Sequence, residues 1–180
     1  MTRYVALLRA INVGGRTIKM DRLRSIFEEL PLDNVETFIA SGNVLFDTTA
    51  RDIPALERKI EQHLEDRLGI EVGTHLRALD DLAGVIANHP FGDAKSRGHT
   101  LSVGFYKEPL AADVLGKLKA VVADYDDFHV NGRELYWYCR GGMSDSVIWK
   151  KVPKKLLSTD NTFRNVTTIQ RLAAKLPSRG

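Results

Sequence analysis

Apolar and polar positions along the first 77 residues follow a pattern that predicts one α/β unit. An apolar run predicts a strand over residues 4–11, and apolar residues three or four positions apart predict a helix over residues 21–30. Further strands are predicted over residues 35–40, 44–47 and 71–77, with a helix that begins after an N-cap at Asp52 and ends near residue 68. This β-α-β-β-α-β order is the ferredoxin-like order.

The remaining residues predict a second α/β unit. Helices are predicted over residues 80–88, 111–123, 144–157 (interrupted at Pro153) and 166–176. Strands are predicted over Thr100–Tyr106, residues 128–130 and residues 133–139, and the last two form a hairpin about an Asn131-Gly132 turn. Alternation within Thr100–Tyr106 predicts a half-buried strand. We therefore predict an α+β fold of two ferredoxin-like units in tandem, residues 1–77 and 78–180, with mainly antiparallel sheets and helices packed on them.

Arg9 interrupts the first apolar run. If the strand extends to Ile11 it is apolar on both faces, and an unpaired guanidinium buried there is very costly. The pattern therefore predicts that Arg9 reaches solvent, pairs with an acid such as Glu36, or faces a ligand.

Polar residues and glycines follow the first two strands, whose carboxyl ends meet at one sheet edge in this topology. This set comprises Arg9, Asn12, Gly14, Gly15, Arg16, Lys19, Ser41, Gly42 and Asn43. Guanidinium, ammonium and amide donors together favour an anionic or polar ligand, and glycines let backbone N–H groups approach it. The same residues are also ordinary turn formers, so a ligand site and a plain turn remain alternatives.

A second polar group precedes the last predicted helix. Asn165 is a natural N-cap, and the positive end of that helix disfavours Arg164 unless an anion binds there. The alternative is that Arg164 points away and that Asn165 or Thr162 only caps the helix.

Charge is distributed unevenly along the chain. The net charge is +3, yet residues 149–180 alone carry +7 and the preceding residues carry −4. This basic C-terminal helical segment allows an acidic partner such as nucleic acid, although a solvated basic face packed on an acidic body is the simpler explanation. Tyr136 and Tyr138 on one strand face could stack on bases, or they could belong to the core.

Several chemistries find no support in the sequence. Cys139 is the only cysteine and is predicted to be a buried apolar residue, so no disulfide framework is expected. The histidines lack metal-ligand spacing and are predicted to be surface or turn residues, and no phosphate loop or dinucleotide fingerprint is present. No metal, cofactor or catalytic residue is predicted. No apolar stretch approaches membrane-spanning length and no signal peptide is recognisable, so a cytoplasmic protein is expected.

Four sequence blocks resemble one bacterial family, the domain of unknown function 1697 family. They read Y-V-A-L-L-R-A-I-N-V-G-G at residues 4–15, S-G-N-V-L-F at 41–46, H-P-F at 89–91 and R-N-V-T-T at 164–168. The family pattern has glycine at the position of Ala10 and an aromatic residue at that of Val166. The resemblance implies a tandem ferredoxin-like fold and no particular activity. Its signature positions are Arg9, Asn12, Gly14, Gly15, Lys19, Ser41, Gly42, Asn43, Arg164, Asn165 and Thr168.

Three functional hypotheses follow from the sequence. The first is binding of a small polar or anionic ligand, possibly phosphate-bearing, with charge from Arg9, Lys19 and Arg164 and hydrogen bonds from the amides and Ser41. The second is a nucleic-acid-binding module that uses the basic segment and the sheet aromatics. The third is a structural or protein-interaction role. Whether any reaction is catalysed is left open, because no general base stands out.

Overall fold

The chain divides into two compact units. A computed structural model describes residues 1–12, 17–39, 42–122, 126–140 and 160–176. Unit 1 comprises Met1–Leu82 together with the C-terminal residues from Leu172 onward, and unit 2 comprises Ala83–Arg171.

Unit 1 contains an antiparallel sheet with the predicted β-α-β-β-α-β order of elements. Its elements are β1 (Thr2–Leu8), α1 (Met20–Glu28), β2 (Asp33–Thr37), β3 (Asn43–Thr48), α2 (Ile53–Leu68) and β4 (Thr74–Ala78). The strands lie in the order β2-β3-β1-β4, so β1 is central and pairs with β3 and β4. Its buried position agrees with the two-faced apolar pattern of the sequence.

The cap residues of α2 explain why this helix begins and ends where the sequence predicts. The Asp52 carboxylate accepts a hydrogen bond from the backbone N–H of Ala55 at 2.9 Å, as an N-cap does. Gly69 ends the helix in the left-handed conformation, with a φ of 67°. Ile60 and Leu64 of α2 belong to the same buried core as Phe27 of α1.

The first strand is shorter than predicted, and this changes the interpretation of Arg9. β1 ends at Leu8, and Arg9 and Ala10 lie in an exposed bend. The predicted extension of this strand to Ile11 is therefore wrong, and Arg9 reaches solvent, which is one of the three alternatives that the sequence left open. The chain turns at Ala10, whose φ of 57° is unfavourable for a residue with a Cβ.

Unit 2 is built around a second antiparallel sheet. The elements that follow β4 are α3 (Leu82–Ala87), β5 (Thr100–Tyr106), α4 (Ala112–Val122), β6 (Asp126–Asn131), β7 (Glu134–Cys139), β8 (Asn161–Asn165) and α5 (Val166–Ala173). Single 3-10 turns occur at Leu79–Asp81 and Lys95–Arg97. The strand order is β6-β7-β5-β8, and all the pairings are antiparallel. The predicted helix over residues 144–157 lies outside the described residues.

Three sequence-based expectations for this sheet are wrong. β8 was not predicted, because its residues lack an apolar alternation, yet it pairs with β5 along Ser102–Tyr106. The hairpin turn lies at Gly132-Arg133, because Asn131 pairs with Glu134 and Gly132 has the positive φ, 59°. β5 is buried on both faces because Phe163 covers Gly104 on one face and residues 85–99 cover the other.

Candidate functional site

The end of β1 meets the two neighbouring segments that the topology predicts. The backbone N–H of Leu8 donates to the carbonyl of Gly42 at 2.8 Å, and that of Arg9 donates to the carbonyl of Gly73 at 2.7 Å. Ile11 lies so close to Gly42 that a Cβ built on this glycine would be 2.5 Å from Ile11 Cγ2. The described parts of the two loops are therefore neighbours. The predicted ligand residues Gly14, Gly15 and Ser41, like Arg16, lie outside the described residues.

Arg9 is a surface residue that packs along Gly73. Its Cβ and Cδ lie 3.4 and 3.6 Å from the position that a Cβ at Gly73 would occupy. Glu36, the acid suggested as its partner, instead forms ion pairs with Arg3 and with Lys175. Of the alternatives for Arg9, the structure therefore supports exposure to solvent and not an ion pair with Glu36.

The described amides of the predicted N-terminal site stabilise their own loops. Asn12 Oδ1 accepts a hydrogen bond from the Ile18 backbone N–H at 2.8 Å, and the fully buried Asn43 donates to the Phe38 carbonyl at 3.0 Å. Lys19 is exposed immediately before α1. These contacts give the amides a role in the loop conformation.

The C-terminal group of predicted residues lies in unit 2. Arg164 is buried in β8, and its Nη1 donates to Thr162 Oγ1 at 2.8 Å and to the Phe163 carbonyl at 2.9 Å. This burial lowers the pKa of Arg164 to about 10. Asn165 Oδ1 accepts a hydrogen bond from the Thr168 backbone N–H at 2.8 Å, which confirms Asn165 as the predicted N-cap of α5.

Aromatic and histidine side chains cover one face of the second sheet. Tyr136 is fully buried, its hydroxyl donates to the Val85 carbonyl at 2.8 Å, and its ring lies 5.8 Å from those of His89 and His129. Burial, reinforced by Glu134, raises the pKa of Tyr136 to about 12. A buried Tyr136 cannot stack on a nucleic-acid base, so this residue belongs to the core.

The His89-Pro90-Phe91 block holds the loop over this face. The Phe91 backbone N–H donates to His89 Nδ1 at 3.3 Å, so the proton of the neutral imidazole is assigned to Nε2. Burial, and then the neighbouring His129, lower the pKa of His89, which favours this neutral form. The Phe91 ring stacks on Tyr138 with centroids 5.1 Å apart.

A cavity of about 520 Å³, which we name the arginine cavity, opens beside this stacked pair. It is lined by Pro90, Phe91, Gly92, Arg97, His99, Asp127, Tyr138 and Arg140. Asp127 is compensated by Lys119, whose Nζ lies 3.4 Å from Asp127 Oδ1. No carboxylate in the described part of the chain forms an ion pair with Arg97 or Arg140, so the cavity carries two positive charges for an anion to meet.

A second cavity of about 520 Å³, which we name the amide cavity, lies beside the first. His99 and Gly92 line both cavities. The amide cavity adds the polar side chains of Asn165, Thr167 and Gln170, together with Lys95 and Asp93, whose formal charges cancel. His89 of the H-P-F block also lines the amide cavity, as do Asn165, Val166 and Thr167 of the R-N-V-T-T block. Two of the four sequence blocks therefore meet at this cavity.

His99 lies at the boundary that the two cavities share. Its Nδ1 is hydrogen-bonded to the Tyr138 hydroxyl, and the two rings are perpendicular, at 88° with centroids 5.2 Å apart. From the sequence, His99 was predicted only to be a surface or turn residue, and Arg97, Arg140 and Gln170 were not singled out. Of the predicted ligand residues in the described part of the chain, only Asn165 lines one of these cavities, because the lining residues are distant from one another in the sequence.

The histidines and the cysteine do not gather into a candidate metal-binding cluster in the described ranges. Within these ranges no three His, Cys, Asp or Glu side chains are placed to hold a metal ion. Cys139 is buried, as predicted, whereas His75, predicted to be a surface or turn residue, is fully buried in β4. None of the described helices combines the length and apolar character that a membrane crossing requires.

Comparison with known families assigns the chain to the family that its sequence resembles. The model of the family described as "Protein of unknown function (DUF1697)" matches residues 1–136. This match covers most of the chain, and the protein therefore belongs to the domain of unknown function 1697 family.

A solved structure supports the fold. The conserved bacterial protein SP0830 from Streptococcus pneumoniae is 24% identical, with a TM-score of 0.71 over 96% of this chain and 97% of that chain. At this identity the similarity establishes the α+β architecture and carries no activity across. No curated protein matches the sequence.

Proposed function

We propose that the protein binds a small ligand bearing an oxyanion, a phosphate or a carboxylate, in the arginine cavity of unit 2. The observation that carries this proposal is the presence of Arg97 and Arg140 in one cavity of about 520 Å³ whose only lining carboxylate, among the described residues, is paired with Lys119. Cavities of this size suit small ligands, and guanidinium groups match phosphate and carboxylate geometry.

The proposal keeps the ligand chemistry predicted from the sequence and assigns it to other residues. Arg164 is already hydrogen-bonded to Thr162 and Phe163, and burial disfavours its charged form. Arg97 and Arg140 are exposed, and the aromatic residues Phe91 and Tyr138 line the same cavity. A charge-assisted hydrogen bond contributes about 1.5–3 kcal/mol, less at exposed positions.

Titration calorimetry with inorganic phosphate and with acetate tests the proposal. We expect the double variant Arg97→Gln/Arg140→Gln to bind the anion at least tenfold more weakly. The matched control is Arg9→Gln/Lys19→Gln, which removes the same charge from exposed positions of the N-terminal set and should leave affinity unchanged. Unchanged binding by the Arg97→Gln/Arg140→Gln variant would refute the proposal. Loss of binding by the control alone would also refute it and would indicate that the anion binds in unit 1.

A further inference from the structure

The arginine cavity and the amide cavity are adjacent parts of one surface of unit 2. His99 and Gly92 line both cavities, so the two cavities meet at these two residues. Gly92 has a φ of 62° and contributes no side chain to this boundary. A ligand anchored by Arg97 can therefore extend past His99.

The two cavities differ in the chemistry that they offer. The arginine cavity presents two guanidinium groups, whereas the amide cavity presents the side chains of Asn165, Thr167 and Gln170. Asn165 Oδ1 accepts the helix-capping hydrogen bond, so the group that this side chain offers to a ligand is its Nδ2 donor. Gln170 and Thr167 are exposed and each provide both a donor and an acceptor.

Two groups that donate and accept, on Thr167 and Gln170, together with the Asn165 amide donor, match the hydroxyl groups of a polyol. The charges of Lys95 and Asp93 cancel formally, so the amide cavity does not favour a second anion. We infer that the two cavities form one bipartite site for a polyhydroxylated oxyanion, a sugar phosphate or a sugar acid. The oxyanion lies between Arg97 and Arg140, and the hydroxyl groups contact Thr167, Gln170 and Asn165. This inference rests on the proposed function.

Affinities for four probes test the inference: inorganic phosphate, glucose 6-phosphate, gluconate and uncharged glucose. We expect the wild-type protein to bind one of the two polyhydroxylated anions at least tenfold more tightly than inorganic phosphate, and glucose very weakly. Preference for glucose 6-phosphate identifies a phosphate ligand, and preference for gluconate identifies a carboxylate.

Variants locate the two halves of the site. Thr167→Ala/Gln170→Ala should reduce the preference for the polyhydroxylated anion to within about twofold of inorganic phosphate, with phosphate affinity unchanged. The matched control, Thr49→Ala/Gln62→Ala, makes the same changes at exposed positions of unit 1 and should retain the full preference. Circular dichroism verifies that each variant is folded.

The outcomes separate this inference from the proposed function. If phosphate binding depends on Arg97 and Arg140 but the polyhydroxylated anions bind no more tightly than phosphate, the bipartite site is wrong and the oxyanion site stands. A preference that survives Thr167→Ala/Gln170→Ala also overturns the bipartite site. If none of the anions binds, or the arginine variant binds them normally, both proposals fail.

Discussion

Adding a single methyl group at Gly42, by the substitution Gly42→Ala, should lower the free energy of unfolding strongly. Its φ of 74° lies in the left-handed region, where a Cβ costs about 1–2 kcal/mol. The added Cβ would also lie 2.5 Å from Ile11 Cγ2 and 3.2 Å from Leu8 Cβ. Ile11 is buried, and the Gly42 carbonyl accepts the Leu8 N–H, so neither side can move away without breaking a contact.

The expected cost of Gly42→Ala follows from adding these two effects. Overpacking a buried site costs about 1–3 kcal/mol, and alanine restricts the unfolded chain by about 0.4–1 kcal/mol, which offsets part of the strain. We expect the free energy of unfolding to fall by about 2–4 kcal/mol.

Urea unfolding followed by circular dichroism measures this cost, with Gly69→Ala as the matched control. Gly69 has a similar φ of 67° but no atom within 4 Å of its built Cβ, so it reports the backbone strain alone, about 1 kcal/mol. The difference between the two variants is the packing cost against Ile11. Equal destabilisation by both variants would refute the close contact between the Gly42 turn and the end of β1.

Three further predictions concern a helix cap, a buried phenol and a strained loop residue. Asp52→Ala should lower the free energy of unfolding by about 1 kcal/mol because the Ala55 N–H loses its acceptor, and Asp52→Ser should restore most of it; equal stability of all three proteins in urea would contradict this. Because burial raises the pKa of Tyr136 from about 10 to about 12, its contribution to stability is complete below pH 10 and is lost as the pH rises towards 12. Tyr136→Phe should flatten part of that decline in urea unfolding measured from pH 9 to 12, and an unchanged slope would argue against burial of the phenol. Ile39 is exposed with a φ of 50°, so Ile39→Asn should stabilise the protein by up to about 1 kcal/mol, and a fall in the unfolding midpoint would contradict the strained geometry.

Elements with local signals were predicted closely from the sequence. α2 carries its own start and stop signals in Asp52 and Gly69, and its apolar residues recur at helical spacing, so its bounds agree within a residue. The central strand β1 was recognised because it is apolar on both faces. The Asn165 cap was predicted because an N-cap depends only on the residues that follow it.

Elements that depend on distant partners were predicted poorly. β8 has no apolar alternation, and it is a strand because β5 supplies its hydrogen-bond partners. The apolar run of β1 continues to Ile11, but the strand ends at Leu8, where the chain bonds to Gly42 and then to Gly73. The three alternatives for Arg9 were inferred from the length of the apolar run, and the strand ends one residue before Arg9, which lies at the surface.

The candidate site likewise combines features that have local sequence signals with features that depend on distant residues. The sequence indicated an anionic or polar ligand from its guanidinium, amide and glycine residues, and the H-P-F and R-N-V-T-T blocks mark segments that line the amide cavity. It did not indicate that Arg97 and Arg140 share a cavity, because the two residues are far apart in the sequence and only the fold places both at the same cavity.

The amino-acid sequence by itself determined the family, the α+β class and the order of elements in unit 1, because hydrophobic periodicity and capping are local properties of the chain. Tertiary structure alone decided which strand edges pair, which side chains are buried and which polar residues line a common cavity. These depend on residues far apart in the sequence, such as Gly104 and Phe163, which pair between strands, and Arg97 and Arg140, which line one cavity, and no local pattern encodes them.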